Sequence, residues 1–255
     1  MTPPDDLLDT LRAWLLDSRS TVIFTGAGIS TESGIPDFRS PGGLWGRYRP
    51  IDFGEFMASE AKRRESWRMR FALENEELFG QAQPNIAHRR IAEWVEQGRV
   101  GCVITQNIDG LHQAAGVPGA QLIELHGNNQ HACCLECHKR FELAPIRANF
   151  MRDESVPYCD RCGGIVKSAV ISFGQPMPEA QMRRAQAVSL GCELFIVIGS
   201  SLLVHPAADL PALAKGRGAR LVIINREPTP LDQRADLLMP RQIGPTLAGI
   251  SLPER

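Results

Sequence analysis

TGAGISTESGIPDFR, residues 25–39, follows the short apolar run at residues 21–24, and the fold can be inferred from this stretch. The β-branched and aromatic residues of that run are typical of a buried strand. Gly26 and Gly28 allow a tight turn at the end of the strand and a close approach of the backbone to a ligand. A strand that leads into a glycine-rich turn is a common cradle for the pyrophosphate of a nucleotide. The stretch therefore predicts a nucleotide-binding α/β fold.

The dinucleotide-binding fingerprint is incomplete in this stretch. Thr31 occupies the position of its third glycine, and no acidic residue ends a second strand about twenty residues further on. The tail is more informative, because Gly34 and Pro36 oppose a helix and leave a loop. That loop carries an acid, an aromatic residue and a base in succession. The alternative to a ligand-binding loop is an ordinary turn with a solvated surface pair.

The composition of the 255-residue chain is that of an ordinary globular protein, with 43% hydrophobic and 22% charged residues. A formal net charge of -1 gives no general attraction to nucleic acid or to an anionic membrane. No apolar run reaches the length of a membrane span, and the acidic N-terminus lacks the features of a targeting signal. Seven cysteines without an export signal predict metal or thiol chemistry in a reducing compartment, so we expect a cytoplasmic protein.

Helical and strand-like patterns alternate along most of the chain. Helices are predicted at residues 7–16, 84–97, 179–188 and 207–215, and strands at 21–24, 100–105, 122–125, 166–172, 194–199, 220–225 and near 237. Residues 40–83 have helical spacing after a Pro-Gly-Gly turn and contain no candidate for a strand. Near-continuous apolar strands that alternate with helices predict a parallel sheet that is covered on both faces.

Polar residues or glycines follow nearly every predicted strand at its carboxyl end. They are Gly26, Gln106, Asn107, His126, Gly199, Ser200, Ser201, Asn225, Arg226 and Glu227. In an open α/β sheet the ligand lies in the crevice outside these strand ends. We therefore expect these residues, which are far apart in the sequence, to line one pocket.

Two C-x-x-C pairs lie in the section from 129 to 165. Their residues are Cys134, Cys137, Cys159 and Cys162, and the distance between the pairs is close to that of zinc ribbons. Four thiolates close a tetrahedral site and leave no position for substrate, so the sequence predicts structural zinc. Cys133 offers an alternative register, and His131 and His138 are reserve ligands. A nucleic-acid-binding ribbon is the alternative function, but the section lacks a basic, aromatic face.

Several motifs occur in order along the chain, namely GAGISTESGIPDFR, TQNIDGLHQAAG, LHG, the two cysteine pairs, SFG, GSSLLVHP and INRE. Over residues 21–247 they resemble the motifs of the sirtuins, a family of NAD-dependent protein-lysine deacylases. The resemblance implies a Rossmann-type doubly wound parallel sheet with a smaller domain made of a helical module and a zinc ribbon. It assigns residues 1–39, 84–128 and 166–255 to the Rossmann-type domain, 40–83 to the helical module and 129–165 to the zinc-ribbon module. Residues 49–56 and 83–88 resemble the class that includes a mitochondrial sirtuin.

The resemblance also implies a reaction and its catalytic residues. NAD is consumed as a co-substrate, and the products are nicotinamide, the deacylated lysine and O-acyl-ADP-ribose. His126 is the implied base, since an imidazole can titrate near neutrality. Asn107 and Asp109 are implied to hold the nicotinamide ribose and the carboxamide. Without the surrounding motif, we would interpret His126 as a buried histidine whose hydrogen bonds are satisfied within the protein.

Binding residues are implied for NAD, for the substrate and for zinc. The NAD contacts are Gly26, Ala27, Gly28, Ile29, Glu32, Pro36, Asp37, Phe38, Arg39, Gln106, Asn107, Ile108, Asp109, His126, Gly199, Ser200, Ser201, Asn225, Arg226, Glu227 and Ile243. The contacts with an acyl-lysine protein or peptide are Val170, Ile171, Phe173 and Gly174, and the peptide would add as a strand. Gln175 replaces the acid that is usual in the family, a change that bears on peptide contacts. The four cysteines of the two pairs are the zinc ligands.

Two other activities are compatible with these residues. An NAD-binding oxidoreductase with structural zinc would reduce the cofactor. A mono-ADP-ribosyltransferase on the same scaffold would transfer ADP-ribose to a protein acceptor. The sequence leaves the oligomeric state open, and a monomer is compatible with it.

Sirtuins that remove succinyl or malonyl groups carry a Tyr-x-x-Arg pair in the helical module. In this chain Tyr48 is followed three residues later by Ile51. The arginines of the module are Arg63, Arg64, Arg68 and Arg70. Arginines on a charged helix are usually solvated. We therefore predict a preference for neutral acyl groups, either acetyl or a longer apolar chain.

Overall fold

Nine strands form two sheets in the computed structural model, which describes residues 6–37, 43, 46–75 and 81–253. They are β1 (Thr21–Thr25), β2 (Cys102–Thr105), β3 (Leu122–Glu124), β4 (Gly127–Cys134), β5 (Arg140–Glu142), β6 (Val166–Val170), β7 (Leu194–Ile198), β8 (Arg220–Ile224) and β9 (Leu237–Met239). Six of these strands form a parallel sheet in the order β3-β2-β1-β7-β8-β9. The chain moves outward from β1 to β3 and later returns to β7 beside β1. The sheet therefore reverses its winding direction between β1 and β7.

Helices cover both faces of the parallel sheet, which confirms the predicted doubly wound α/β fold. They are α1 (Asp6–Asp17), α2 (Phe53–Ala58), α3 (Glu60–Asn75), α4 (Ile86–Glu96), α5 (Leu111–Ala114), α6 (Leu143–Asp153), α7 (Glu179–Gly191), α8 (Leu210–Gly216) and α9 (Ile243–Ala248). One core cluster joins the sheet to α1, α4 and α9, and a second joins the other face to α7 and α8. Every residue of β1 and β7 is buried, because apolar helix faces cover the strands from both sides.

A smaller antiparallel sheet, in the order β5-β4-β6, packs with α3 and α6. Trp67 and Phe71 of α3 stack with ring centroids 5.6 Å apart, and Phe71 lies 5.5 Å from Phe150 of α6. These rings share one buried cluster with Ala132 and Cys134 of β4. The segment after the glycine turn and the cysteine section therefore pack against one another through one small core.

The strand at residues 166–172 belongs to a different sheet from the one that the alternating pattern predicts. It forms β6, which pairs antiparallel with β4 in the small sheet, so that Cys134 lies opposite Val166. Hydrophobic period identifies a strand but does not say which neighbour it pairs with, and this causes the wrong prediction. Helices α5, α6 and α9 are also absent from the prediction. None of the helices in the described part of the chain is long and apolar enough to cross a membrane.

Candidate active site

The site begins where the sheet reverses its winding direction, between the carboxyl ends of β1 and β7. Such a reversal leaves a crevice outside the sheet. The Gly28 N–H donates to the carbonyl oxygen of Gly199 at 2.8 Å, so the two strand-end loops touch. A Cβ at Gly26 or at Gly28 would lie 2.8 Å from backbone atoms of Gly199. Both glycines are therefore required by this contact between loops, which the sequence does not indicate.

Asn107 and Asp109 follow β2 and lie beside the glycine turn. The Asn107 amide donates to the Gly26 carbonyl oxygen and to the Ser30 hydroxyl, both at 3.1 Å. The Ser30 hydroxyl in turn donates to the Asp109 carboxylate at 2.7 Å. Burial raises the pKa of Asp109, although the backbone N–H of Leu111 also donates to its carboxylate. Two of the predicted catalytic residues are thus joined through a serine and held in fixed orientations.

His126 follows β3 and is half-buried. Its Nδ1 lies 2.9 Å from the backbone carbonyl oxygen of Gln106. A carbonyl oxygen can only accept, so Nδ1 carries the hydrogen and Nε2 holds the lone pair. The Gln106 side chain donates to the Ser200 hydroxyl at 2.7 Å, which connects the ends of β2 and β7. The imidazole is therefore fixed in a tautomer that can accept a proton at Nε2.

The ends of β7 and β8 form the other part of the crevice. Asn225 follows β8, and its side-chain amide donates to the backbone oxygen of Glu227 at 2.6 Å. Arg226 and Glu227 are exposed and form an ion pair at 3.5 Å. Ser201 is half-buried beside Ser200. The predicted NAD contacts at these two strand ends thus line the region that follows β7 and β8.

Glu32, Ile243 and Ile29 are three further predicted cofactor residues whose side chains make protein contacts. The Glu32 carboxylate accepts a hydrogen bond from the Gly244 N–H at 2.9 Å, at the beginning of α9. Ile243 is buried in the cluster that joins α9 to the sheet. Ile29 is 1% exposed in the same cluster, and its backbone N–H and carbonyl oxygen bond to Gly26 and Asn85, so it offers almost no free surface to a cofactor.

The loop after the glycine turn is described up to residue 37. Ala27, Pro36 and Asp37 are half-buried, so each keeps some exposed surface. Phe38 and Arg39, which are both predicted NAD contacts, lie outside the described residues.

A cavity of about 350 Å³ lies between the two sheets and the helical segment α3. Gln106, Ile108 and His126 line one side of it, and residues 170–174 line another. The Ile171 N–H donates to the His126 carbonyl oxygen at 2.9 Å, so the predicted peptide-binding strand begins beside the imidazole-bearing residue. Phe173 is 46% exposed at the cavity. The structure therefore brings the predicted base and the predicted peptide-binding segment together.

Gln175 closes a turn within that segment. Its side-chain oxygen accepts a hydrogen bond from the Ser172 N–H at 3.1 Å, and its own N–H donates to the Ser172 carbonyl oxygen at 3.0 Å. Gly174 has a φ of 77°, the left-handed region that glycine adopts readily. The residue that departs from the family pattern thus stabilises the shape of the loop in this chain.

Two cationic side chains also line the cavity, Lys167 and Arg70. Lys167 is buried, and burial lowers its pKa to about 8 while its ammonium donates to the carbonyl oxygens of Ser168 and Val170. Arg70 is half-buried, its pKa is lowered by burial, and it donates to the Asn129 carbonyl oxygen at 2.6 Å. The expectation that the arginines of this helix are solvated is therefore wrong for Arg70.

Four cysteine sulfurs form a compact group away from the cavity. The Sγ atoms of Cys134, Cys137, Cys159 and Cys162 all lie within 4.8 Å of one another. Two of the separations are 3.5 Å and 3.6 Å, too long for a disulfide and close to the ~3.8 Å expected for thiolates bonded to one tetrahedral zinc ion. The backbone N–H of Cys137 and, to a lesser extent, that of Glu136 lower the pKa of Cys134 to about 7. The donor set fits structural zinc, and Cys133, His131 and His138 are not part of the group.

The profile of the Sir2 family matches residues 26–206 of this chain. The chain belongs to the Sir2 family. It is 53% identical over 240 residues to NAD-dependent protein deacetylase 1 of Bradyrhizobium diazoefficiens, covering 94% of this chain and 93% of the relative. It is 52% identical to the NAD-dependent protein deacetylase of Rhodopseudomonas palustris, over 94% of each chain. A solved Sir2 structure with a p53 peptide and NAD+ is 37% identical, with a TM-score of 0.82 and coverage of 94% of this chain and 95% of that one.

Several residues that the structure brings to the site do not stand out in the sequence of this Sir2-family chain. Ser30 joins Asn107 to Asp109, although its position inside the glycine-rich motif could have marked it. Arg70 and Lys167 reach the cavity from elements that are distant in sequence, and no local pattern indicates this. Tertiary packing alone brings these side chains to one place.

Proposed function

We infer that this chain is an NAD-dependent protein-lysine deacylase that uses the crevice and the cavity described above as one active site. Membership of the Sir2 family and the deacetylase relatives support this activity. The observation that carries the assignment of the site is the position of His126. Its imidazole lies at the cavity between the NAD-side residue Gln106 and the segment that begins at Ile171.

NAD, when bound, would supply a ribose carbon with which the acyl oxygen can form a bond as the bond from that carbon to nicotinamide breaks. We propose that Asn107 and Asp109 orient the nicotinamide ribose and carboxamide, because both side chains are already fixed through Ser30. The glycine turn and the residues after β7 and β8 hold the remainder of NAD. That set comprises Gly26, Ala27, Gly28, Ser200, Ser201, Asn225, Arg226 and Glu227, with Glu32 and Ile243 at its edge. We also propose that Phe38 excludes water from the reacting carbon.

His126 is proposed as the general base. Its Nδ1–H donates to the Gln106 carbonyl oxygen, which holds the ring and leaves Nε2 able to accept a proton from a ribose hydroxyl. The same backbone contact stabilises the imidazolium once Nε2 is protonated, because the carbonyl dipole points at the charged ring.

The acyl-lysine peptide is proposed to add as a strand beside residues 170–174. These residues lie at the cavity, and Val170 ends β6. β6 pairs with β4 on one side and is an edge strand of the small sheet. Main-chain hydrogen bonds would hold the peptide with little regard to its sequence, while the lysine side chain enters the cavity toward His126. Substrate proteins would therefore be chosen chiefly by access to an extended acyl-lysine segment.

We propose the following division of the chain. Residues 1–39, 84–128 and 166–255 form the Rossmann-type domain, 40–83 the helical module and 129–165 the zinc-ribbon module. The pairing of β6 with β4 supports one change to this division, in which residues 166–170 join the smaller domain. A cytoplasmic location is proposed as well, since four unpaired thiolates persist best where disulfides do not form. Fractionation of cells that produce the protein tests that location.

The activity is tested by incubating the purified protein with NAD and an acetyl-lysine peptide and identifying the products by mass spectrometry. We expect nicotinamide, the deacetylated peptide and O-acetyl-ADP-ribose in equal amounts, and release of nicotinamide only when the acyl-peptide is present. A reduced cofactor would identify an oxidoreductase instead. Labelled ADP-ribose on a protein acceptor, without loss of the acetyl group, would identify an ADP-ribosyltransferase.

The role of His126 is tested with His126→Ala, which we expect to lower deacylation by about 10²–10⁴-fold, the usual contribution of a positioned general base. Exchange of labelled nicotinamide into NAD, which precedes the proton transfer, should survive in part. Asp109→Asn is the matched variant, and it should impair exchange more than His126→Ala does. A folded, zinc-containing His126→Ala protein with nearly wild-type deacylation would end the case for this base.

A further inference from the structure

A chain of buried hydroxyl and imidazole groups lies directly behind Asn107. The Asn107 backbone N–H donates to the Thr105 hydroxyl at 3.0 Å. The Thr25 hydroxyl donates to the same oxygen at 2.8 Å, and the Thr25 oxygen lies 2.9 Å from Nε2 of His112. Thr25, Thr105 and His112 are each at most 3% exposed. Three polar side chains, linked one to the next by hydrogen bonds, therefore connect β1, β2 and α5 to the backbone of Asn107.

The directions of these hydrogen bonds fix the tautomer of His112. The Thr25 hydrogen points at Thr105, so its oxygen accepts from His112 and the imidazole carries its hydrogen on Nε2. Burial lowers the pKa of His112 to about 3, which keeps the ring neutral under ordinary conditions. The order is then His112 N–H to Thr25 O–H to Thr105 oxygen, which also accepts the Asn107 N–H.

His88 of α4 closes the far end of this chain. Its ring meets that of His112 edge to face, with centroids 5.1 Å apart, and it is fully buried. Both ring nitrogens of His88 and Nδ1 of His112 have no hydrogen-bond partner in the described part of the chain. Apolar side chains would fill this space without the desolvation penalty that such polar atoms carry. A histidine pair at this place is therefore explained better by the orientation that it imposes than by packing.

We propose that His112 is a positioning residue for Asn107 and that it acts through Thr25 and Thr105. His112 is 1% exposed and does not line the cavity, so it would act without touching NAD or peptide. Asn107 has two anchors: its side chain is held by Gly26 and Ser30, and its backbone is held by this hydroxyl chain. Loss of the second anchor would allow the loop from 106 to 110 to rotate, which would misplace the amide that orients the nicotinamide ribose. The inference rests on the role proposed above for Asn107.

Thr25 provides the sharpest test, because valine has the same shape as threonine without the hydroxyl. We expect Thr25→Val to lower kcat/KM for NAD about tenfold, as one buried hydrogen bond allows. Nicotinamide exchange should fall by a similar factor as kcat/KM, whereas loss of the base at His126 should lower exchange much less than it lowers deacylation. Thr25→Ser keeps the hydroxyl and should restore both activities to within about threefold.

Thr21→Val is the matched control on the same strand. Thr21 is 1% exposed at the opposite end of β1, and its hydroxyl has no hydrogen-bond partner among the described residues. This variant should leave kcat/KM and exchange unchanged. Melting temperatures of all variants are measured so that activity is compared well below unfolding. If Thr21→Val and Thr25→Val lower activity equally, or if neither does, the inference is overturned.

A double-mutant cycle tests whether His112 acts through Thr25. His112→Leu removes the donor, and its effect should not add to that of Thr25→Val, since both break the same chain. Independent, additive losses would contradict the proposal, as would a folded His112→Leu protein with full activity. If His112→Leu does not fold, the comparison of Thr25→Val with Thr25→Ser still tests the proposal.

Asn107→Ala separates this inference from the proposed function. A fully active Asn107→Ala protein would remove the proposed role of Asn107 and the inference with it. An inactive Asn107→Ala protein together with a fully active Thr25→Val protein would overturn only the inference.

Discussion

Gly199 lies at the closest approach of the two strand-end loops. Its φ is 64°, and a Cβ built on it would lie 2.4 Å from the backbone nitrogen of Ile29. No rearrangement of a side chain can relieve contact with backbone. The carbonyl oxygen of Gly199 also accepts the Gly28 N–H, so a shift of this residue would move the glycine turn. One position thus combines a conformational and a steric requirement for glycine.

We predict that Gly199→Ala lowers the free energy of unfolding by more than about 3 kcal/mol, because strain of about 1–2 kcal/mol adds to the steric conflict. Gly218→Ala is the control, since Gly218 also has a positive φ but no atom lies within 4 Å of its added Cβ. That variant should lose only about 1–2 kcal/mol. Urea denaturation measures both values. Equal losses in the two variants would show that the contact between loops is unimportant.

At the residue scale the sequence predicts best where the groups of a site follow one another along the chain. Asn107 and Asp109 stand in one motif, and their proximity follows from it. The contacts of Thr25, Ser30 and His112 depend on which strands lie side by side, and a local pattern does not contain that information. The sequence indicates that Gly26 approaches a ligand, whereas the structure adds a second reason, its contact with the β7 loop.

At the scale of elements, α4 meets α5 through the rings of His88 and His112. Burial lowers the pKa of His88 to about 4, with a smaller contribution from the nearby Arg89, and burial lowers that of His112 to about 3. An unfolded histidine has a pKa near 6.5. The unfolded chain therefore binds protons that the folded chain excludes. The contribution of these two histidines to the free energy of unfolding is complete above about pH 6.5 and is lost as the pH falls toward 4 and then 3.

The free energy of unfolding of the wild type should fall between pH 6.5 and 4.5. We predict that this fall is smaller in His88→Leu by about 1–3 kcal/mol. Thr21→Val, which removes a buried hydroxyl that does not titrate, serves as the control and should keep the wild-type slope. Asp109 has a raised pKa and acts in the opposite direction, but it is common to all three proteins. Identical slopes in wild type and His88→Leu, measured by denaturation at several pH values, would contradict the prediction.

Elements were predictable where their apolar pattern is long and regular. The strands of the central sheet and helices α1, α4 and α7 follow directly from such patterns. The partner of β6 did not follow, because the same apolar run suits either sheet. Helices α5 and α9 span a turn or two and owe their existence to packing rather than to periodicity.

At the scale of the whole molecule, β4 connects the cysteine group to His126, the proposed base. The strand begins at Gly127, directly after His126, and ends at Cys134, one of the four sulfur donors. It also pairs with β6, which leads to the segment proposed to bind the peptide. Metal binding at one end of β4 should therefore stabilise this strand. At its other end β4 supports His126 and the segment that follows β6, both of which line the cavity.

We predict about one zinc ion per chain by elemental analysis, and we expect Cys134→Ala to lose the metal, melt several degrees lower and lose deacylation. NAD affinity, which depends on the parallel sheet, should weaken less than affinity for the acyl-peptide. Cys133→Ala is the matched control because this neighbouring cysteine is not part of the sulfur group. Zinc-free wild-type protein, or a Cys134→Ala protein with full zinc and activity, would overturn this assignment.

The cavity joins both sheets and α3, and if the acyl-lysine enters it as proposed, its lining sets the acyl group that the enzyme accepts. Ile51, Met69 and Leu73 give it apolar walls. Its two cations are already engaged: Arg70 donates to a backbone carbonyl oxygen, and Lys167 donates to two. A carboxylate on the acyl chain would have to compete with these bonds after losing its own hydration.

We therefore predict that acetyl-lysine and longer apolar acyl-lysine peptides are deacylated at least about tenfold faster than a succinyl-lysine peptide, a difference of roughly 1.4 kcal/mol in kcat/KM. Arg70→Met distinguishes the two possible functions of the guanidinium. If Arg70 only supports the Asn129 backbone, the variant should lower turnover of acetyl and succinyl peptides by similar factors. If Arg70 instead binds an acyl carboxylate, the loss would be confined to the succinyl peptide. Wild-type turnover that is faster with succinyl than with acetyl peptide, measured at equal concentrations, would refute the preference for neutral acyl groups.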